Sequence, residues 1–257
     1  MMGFQEYVPL SSYTTFKLGG QARYFSEALT ADDVAAIASH APAPLMVLGG
    51  GSNLIFRDGL IERCVMKMAL KGFDIVEESA DTVALAVGAG EDWDSVVARA
   101  VERGWSGLEA LSAIPGTAGA TPVQNVGAYG REIADVLIEA RAYDLLERKP
   151  VAISRDDCRF AYRDSIFKQA GSGRFVITAV LLKLSKNKPA IPAYRDIHAY
   201  FAERQNLVPS LAEIRQAIIE VRSRKLPDPS VIASAGSFFK NPIVGKEQAE
   251  ELLKDFP

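Results

Sequence analysis

The apolar run Leu45, Met46, Val47, Leu48 ends in three glycines, Gly49, Gly50 and Gly51, and the chain passes through Ser52 and Asn53 into another apolar run, Leu54, Ile55, Phe56. No other stretch restricts the fold so tightly. Consecutive glycines after a buried strand let the main chain approach another surface and adopt backbone angles closed to other residues. A Rossmann-type turn needs G-x-G-x-x-G opening a helix, but Leu54 stands where the third glycine belongs and strand-forming residues follow. A P-loop needs Gly-Lys-Ser/Thr, and none follows. Two readings remain: a tight hairpin between two strands, for which Gly-Gly suffices, and a nest of converging N–H groups that holds an anion, with Ser52 and Asn53 as added donors.

A second glycine- and alanine-rich stretch, LEALSAIPGTAGATPVQNVGAYG, occupies residues 108–130. A disordered linker would be more charged and less apolar, so the segment is expected to be ordered, with unusual backbone angles. Two such stretches in one domain suit a long, flat ligand lying over main chain with a phosphate at one end. Close packing of loops is the alternative, although long irregular segments in compact domains are usually functional.

Local patterns supply the framework. Thr30 caps a helix that begins with Asp32 and Asp33 and carries Val34 and Ile37 at helical spacing. Strands are expected at 44–49, 54–56 and 64–68, a hairpin at 73–77 and 82–87, and strands at 139–146 and 175–184. Residues 91–103 read as an amphipathic helix stopped by Gly104. The polar piece 185–189 is the expected boundary. A helix capped by Ser210 over 211–224, a break at Leu226, Pro227, Asp228, Pro229 and a last helix at 245–256 follow.

Composition excludes several classes. A net charge of −3 over 257 residues offers no basic footprint for nucleic acid. No apolar run approaches the roughly 20 residues of a membrane span, and the N-terminus lacks a signal-peptide pattern, so a cytoplasmic protein is expected. Two cysteines far apart and two histidines without paired spacing argue against a disulfide framework or a metal centre.

Two clusters look chemical. Phe160, Ala161, Tyr162, Arg163, Asp164 and Ser165 precede a strand, and Arg163 is either a surface residue or a cationic group in a site. Ser237 stands between Ala235-Gly236 and Phe238-Phe239, which is consistent with the wall of an apolar cavity or with a buried turn. Together, VLGGGSNLIF, GLEALSAIPGTAGATPVQNVGAYG, CRFAYRDSIFK, KLPDP and AGSFFKNP run in order along nearly the whole chain. In this combination the sequence resembles the UDP-N-acetylenolpyruvoylglucosamine reductase (UDP-N-acetylmuramate dehydrogenase) family, flavoenzymes of bacterial peptidoglycan precursor synthesis.

The resemblance implies an α+β architecture. An FAD-binding fold of the vanillyl-alcohol-oxidase (PCMH) type would occupy residues 1–186, in subdomains of about 1–70 and 71–186. Residues 187–257 would form the first part of an α+β substrate-binding domain. It also implies FAD as cofactor, NADPH as co-substrate and a UDP-sugar as substrate, with no nucleic acid, no membrane and a monomeric state. Gly49, Gly50, Gly51, Ser52 and Asn53 would receive the FAD diphosphate. Ile114, Pro115, Gly116, Gly119, Ala120, Gln124, Asn125 and Gly127 would run beside the flavin. Arg163 matches the charge-stabilising arginine and Ser237 the proton donor, while Tyr162, Tyr194, Lys225 and Asn241 match substrate-holding positions. For Lys225 a solvated helix end is the alternative. The family's substrate domain continues past the last residue here and carries a catalytic glutamate, so residues 187–257 are expected to pack poorly. An FAD-holding chain without full turnover and an FAD-dependent oxidase on the same fold are the competing functional readings.

Overall fold

A computed structural model describes residues 3–205, 208–237 and 239–256. The first sheet takes the order β1-β2-β4-β3, from strands Gln5–Pro9 (β1), Gln21–Ala28 (β2), Leu45–Leu48 (β3) and Leu60–Met68 (β4). Helix α1 (Ala31–His40) links β2 to β3. Its first turn is held by a capping box in which the Asp33 N–H donates to Thr30 Oγ1 at 3.1 Å and the Thr30 N–H to Asp33 Oδ2 at 2.9 Å.

Strands β3 and β4 are parallel neighbours, pairing Leu45 with Cys64 through Leu48 with Lys67. This register excludes the hairpin reading of the glycine loop, because parallel strands need a crossover. Residues 49–59 make that crossover without a helix or strand. The strand expected at 54–56 is therefore absent. Leu54 and Ile55 face solvent, and only Phe56 anchors the loop, in a small cluster with Leu10, Phe25, Leu48, Ile61 and Val65.

The second sheet is antiparallel, in the order β10-β9-β11-β6-β5, from Phe73–Glu78 (β5), Thr82–Gly88 (β6), Leu137–Asp144 (β9), Lys149–Ser154 (β10) and Phe175–Ser185 (β11). Its inner face packs on helix α2 (Trp93–Glu102) and on α1 through the main core, whose largest fully buried side chains include Trp93, Ile37, Leu85 and Leu182. Asp92 caps α2, accepting from the Ser95 N–H at 2.9 Å, and Gly104 ends it at φ +73°. Residues 108–130 are ordered and irregular, with short 3₁₀ turns at Glu109–Leu111 and Ala118–Ala120. They end in a two-residue ladder between Gly127–Ala128 (β7) and Arg131–Glu132 (β8).

Beyond β11, helices α3 (Arg195–Glu203) and α4 (Leu211–Lys225) bury Ile197, Phe201, Ile214, Ala217 and Ile218 against each other. Helix α4 docks onto α2 through a two-pronged ion pair, with Arg215 Nη1 and Nη2 at 2.6 and 2.8 Å from the Asp94 carboxylate. Poor packing, expected throughout residues 187–257, is thus confined to the segment after α4. Helix α5 (Lys246–Asp255) buries no side chain, and Ile232, Ile243 and Phe256 are exposed. Among the described residues no helix is long and apolar enough to cross a membrane.

Candidate functional site

The two glycine-rich stretches interlock. A Cβ on Gly50 would lie 2.7 Å from Gly116 Cα, one on Gly49 2.7 Å from Thr117 Oγ1, and one on Gly51 2.0 Å from Tyr13 O. Ser52 Oγ donates to Pro115 O at 3.0 Å and Asn53 Nδ2 to Gln124 Oε1 at 2.9 Å. Glycine is required here first by the protein's own packing. Gly51, at φ +65°, threads beside residues 13–14, and its carbonyl accepts from the Thr15 N–H at 3.2 Å.

The amides tell a second story. Among the described residues no protein group accepts from the N–H of Gly50, Gly51, Ser52, Asn53, Gly116 or Thr117. Buried backbone donors are almost always paired, and Gly51 and Thr117 are buried. Four consecutive unpaired amides, with two more across the Gly50–Gly116 contact, are donors that an anion of diphosphate size could use. Lys67 adds a cation beside them, donating through Nζ to Gly49 O. Burial lowers the Lys67 ammonium from its ordinary value, opposed by the nearby Glu27 carboxylate. Sequence reasoning passed over Lys67, although a single lysine in the apolar strand CVMKM was a usable signal.

The chain continues from this contact along residues 114–127. Ile114 packs on the main core, Pro115 and Ala120 are exposed, and Gly116, Gln124 and Gly127 are half-buried. Gly119 lies against Ala89, 2.5 Å from an added Cβ. Asn125 is 1% exposed at φ +46°. Its Nδ2 donates to Glu132 Oε2 at 2.6 Å and to Ala161 O at 3.1 Å, and its Oδ1 accepts from the Ala134 N–H at 3.3 Å.

At the far end stands Arg163, at φ +56° in the turn closed by reciprocal Ala161–Asp164 backbone hydrogen bonds of 3.1 Å. Its Nη2 donates to Gly127 O at 2.8 Å, so the guanidinium borders the second glycine-rich stretch. Tyr162 lies under two cations, with Arg163 Cζ at 5.6 Å and Lys240 Nζ at 5.4 Å from its ring centre.

Ser237 is exposed rather than set in an apolar wall. Ser237 and Asn241 are exposed, Phe239 is 84% exposed, and the expectation attached to Phe238 falls outside the described residues. The chain on either side of Ser237 is nonetheless anchored. Thr15 Oγ1 donates to Ser234 O at 2.6 Å, next to the glycine loop, and Lys240 reaches the Tyr162 ring. Ser237 lies three residues from each of these contacts.

A second basic group forms where α3 and α4 meet residues 129–130. The Tyr129 and Tyr194 rings meet edge to face at 5.0 Å, and Lys225 Nζ lies 6.0 Å from the Tyr194 ring centre while donating to Asp196 Oδ2. That hydrogen bond raises the Lys225 ammonium. Burial lowers the Arg222 guanidinium, partly offset by the Tyr129 hydroxyl beside it, and burial raises Tyr129. Sequence reasoning missed Tyr129 and Arg222, whose proximity depends on the docking of α4.

The unpaired amides, the stretch 114–127 and the cations beyond it fit a dinucleotide with an extended ring system. Residues 23–145 match a family model described as an FAD binding domain. The UDP-N-acetylenolpyruvoylglucosamine reductase of Cupriavidus pinatubonensis is 43% identical over 260 residues, covering 100% of this chain and 76% of that one. Among solved structures, UDP-N-acetylenolpyruvylglucosamine reductase from Thermus caldophilus superposes with a TM-score of 0.70 at 26% identity, covering 98% of this chain and 81% of that one. Cholesterol oxidase from B. sterolicum shares the fold at 14% identity, with a TM-score of 0.51 over 72% of this chain and 37% of the oxidase.

Proposed function

The chain belongs to the UDP-N-acetylenolpyruvoylglucosamine reductase family, and from that premise we propose how its residues share the work. It is an FAD-dependent oxidoreductase on a fold of the vanillyl-alcohol-oxidase type. It reduces the enolpyruvyl ether of UDP-N-acetylglucosamine to UDP-N-acetylmuramate, with NADPH as reductant, in peptidoglycan precursor synthesis. Residues 1–186 form the FAD-binding part and residues 187–257 belong to the substrate-binding part. The enzyme works in the cytoplasm as a monomer, apart from membranes and nucleic acid.

The unpaired amides of Gly50–Asn53, met by Gly116 and Thr117, carry this reading. They would donate to the FAD diphosphate, and the main chain from Ile114 to Gly127 would support the rest of the cofactor. Bound there, FAD would supply two-electron hydride chemistry, with NADPH as the source of the hydride and the outer vinyl carbon of the substrate as its destination. Charge then builds in the system conjugated with the carboxylate. Arg163, always cationic, holds that carboxylate with paired hydrogen bonds and stabilises the developing charge. Ser237 gives its proton to the inner carbon and regains one from water. A hydroxyl is a weak acid, so it serves only because the carbanion it meets is strongly basic. Tyr162 and Asn241 hold the sugar and enolpyruvyl end, and Tyr194 and Lys225 take the UDP diphosphate, for which Lys225 must exchange Asp196 for phosphate oxygen.

The experiment is spectroscopic. The purified chain is expected to be yellow, to bleach with NADPH under anaerobic conditions and to recover its colour when the enolpyruvyl substrate is added. Recovery driven by dioxygen and not by substrate would favour an oxidase, and bleaching with no recovery would favour an FAD-holding chain without turnover.

A further inference from the structure

We infer that Asn125 is a positioning residue for Arg163, and that its side chain serves this arginine rather than the cofactor. The assignment rests on the function proposed above. Its amide spends both donors inside the protein, the Nδ2 hydrogens going to Glu132 Oε2 (2.6 Å) and Ala161 O (3.1 Å), while Oδ1 accepts from the Ala134 N–H (3.3 Å). At 1% exposure it has no donor left for a ligand.

What it joins is specific. Ala161 is the first residue of the turn that carries Arg163 at φ +56°, and its carbonyl also accepts from the Asp164 N–H. Glu132 pairs with Gly127 across the small ladder, and Gly127 O is the acceptor of Arg163 Nη2. One buried side chain therefore ties the root of the arginine and the carbonyl that orients its tip. Without those ties, turn and ladder are free to separate, and the guanidinium loses its alignment on a carboxylate. A misplacement of about 1 Å in such a group costs about 100-fold in rate.

Two variants keep the backbone angle, since glycine and aspartate both tolerate a left-handed conformation. Asn125→Gly removes the side chain, and Asn125→Asp keeps its size but loses both Nδ2 donors. For each, affinity is measured calorimetrically for the enolpyruvyl substrate and for UDP-N-acetylglucosamine, which lacks the carboxylate. Half-reactions are followed by stopped flow. Expected are intact flavin absorbance and normal bleaching by NADPH, about tenfold weaker binding of the enolpyruvyl substrate with unchanged binding of UDP-N-acetylglucosamine, and about 100-fold slower flavin reoxidation. On an Arg163→Ala background, Asn125→Gly is expected to add no further loss. Equal weakening of both ligands, an additive loss on that background, wild-type behaviour, or loss of flavin from both variants would overturn the assignment. If the unaltered protein fails to distinguish the two ligands, the proposed function itself fails, and the assignment with it.

Discussion

Replacing Gly51 with alanine tests the glycine loop where its geometry is tightest. The added Cβ would lie 2.0 Å from Tyr13 O and 2.9 Å from Thr14 Cα, both backbone atoms that cannot rotate away. Restoring a normal contact moves the loop by more than about 1 Å. That breaks the Thr15 N–H bond to Gly51 O, worth about 0.5–1.5 kcal/mol. The φ of +65° adds about 1–2 kcal/mol for a residue with a Cβ. The total loss is about 1.5–3.5 kcal/mol, with weakened FAD binding because the Gly51 and Ser52 amides shift. Gly59 is the internal control. Its φ is +82° but nothing lies within 4 Å of an added Cβ, so Gly59→Ala loses only the backbone share. Urea unfolding followed by fluorescence of the buried Trp93 and Trp105 measures both, and flavin absorbance after gel filtration measures retention. Equal unfolding midpoints for the two variants, or full flavin retention by Gly51→Ala, would refute the reasoning.

Ser237→Ala is expected to leave bleaching by NADPH near wild type and to slow substrate-driven recovery by orders of magnitude; equal loss in both halves would assign Ser237 to the fold. The Asp144 carboxyl is held down to about 2, first by its hydrogen bonds from Arg174. A lowered folded value gives stability that is present above the ordinary carboxylate pKa of about 4 and lost as pH falls toward 2. Arg174→Gln should therefore be less stable than wild type near neutrality, with the deficit shrinking between about pH 4 and pH 2, and a deficit constant across that window would contradict the pairing. Burial pushes the Cys64 thiol up to about 11 and Cys158 up to about 12, so neither should react with iodoacetamide in the native protein at neutral pH, and both should react in urea.

Elements with their own caps were legible in the sequence. Thr30, Asp92 and Ser210 accept hydrogen bonds at the starts of α1, α2 and α4. Tyr194 starts α3 with no side-chain hydrogen bond, and that helix went unassigned. Strands β1 and β2 went unassigned as well, because β1 buries none of its residues and β2 carries Arg23 and Glu27 among its apolar positions. The apolar run Leu54, Ile55, Phe56 imitated a strand, but a parallel pair leaves no neighbour for it. At the site, residue types were readable and distances were not. Asn53 and Gln124 meet across 71 positions, and Arg163 and Gly127 across 36. No local pattern carries such pairings, which arise when the crossover loop is pressed onto the irregular stretch.

A crystal structure of the chain grown with FAD tests the central claim most directly. The account predicts diphosphate oxygens within hydrogen-bonding distance of the Gly50, Gly51, Ser52 and Asn53 amides, with the ring system running along residues 114–127 toward Arg163. A diphosphate bound away from these amides, or a ring system directed away from Arg163, would contradict it.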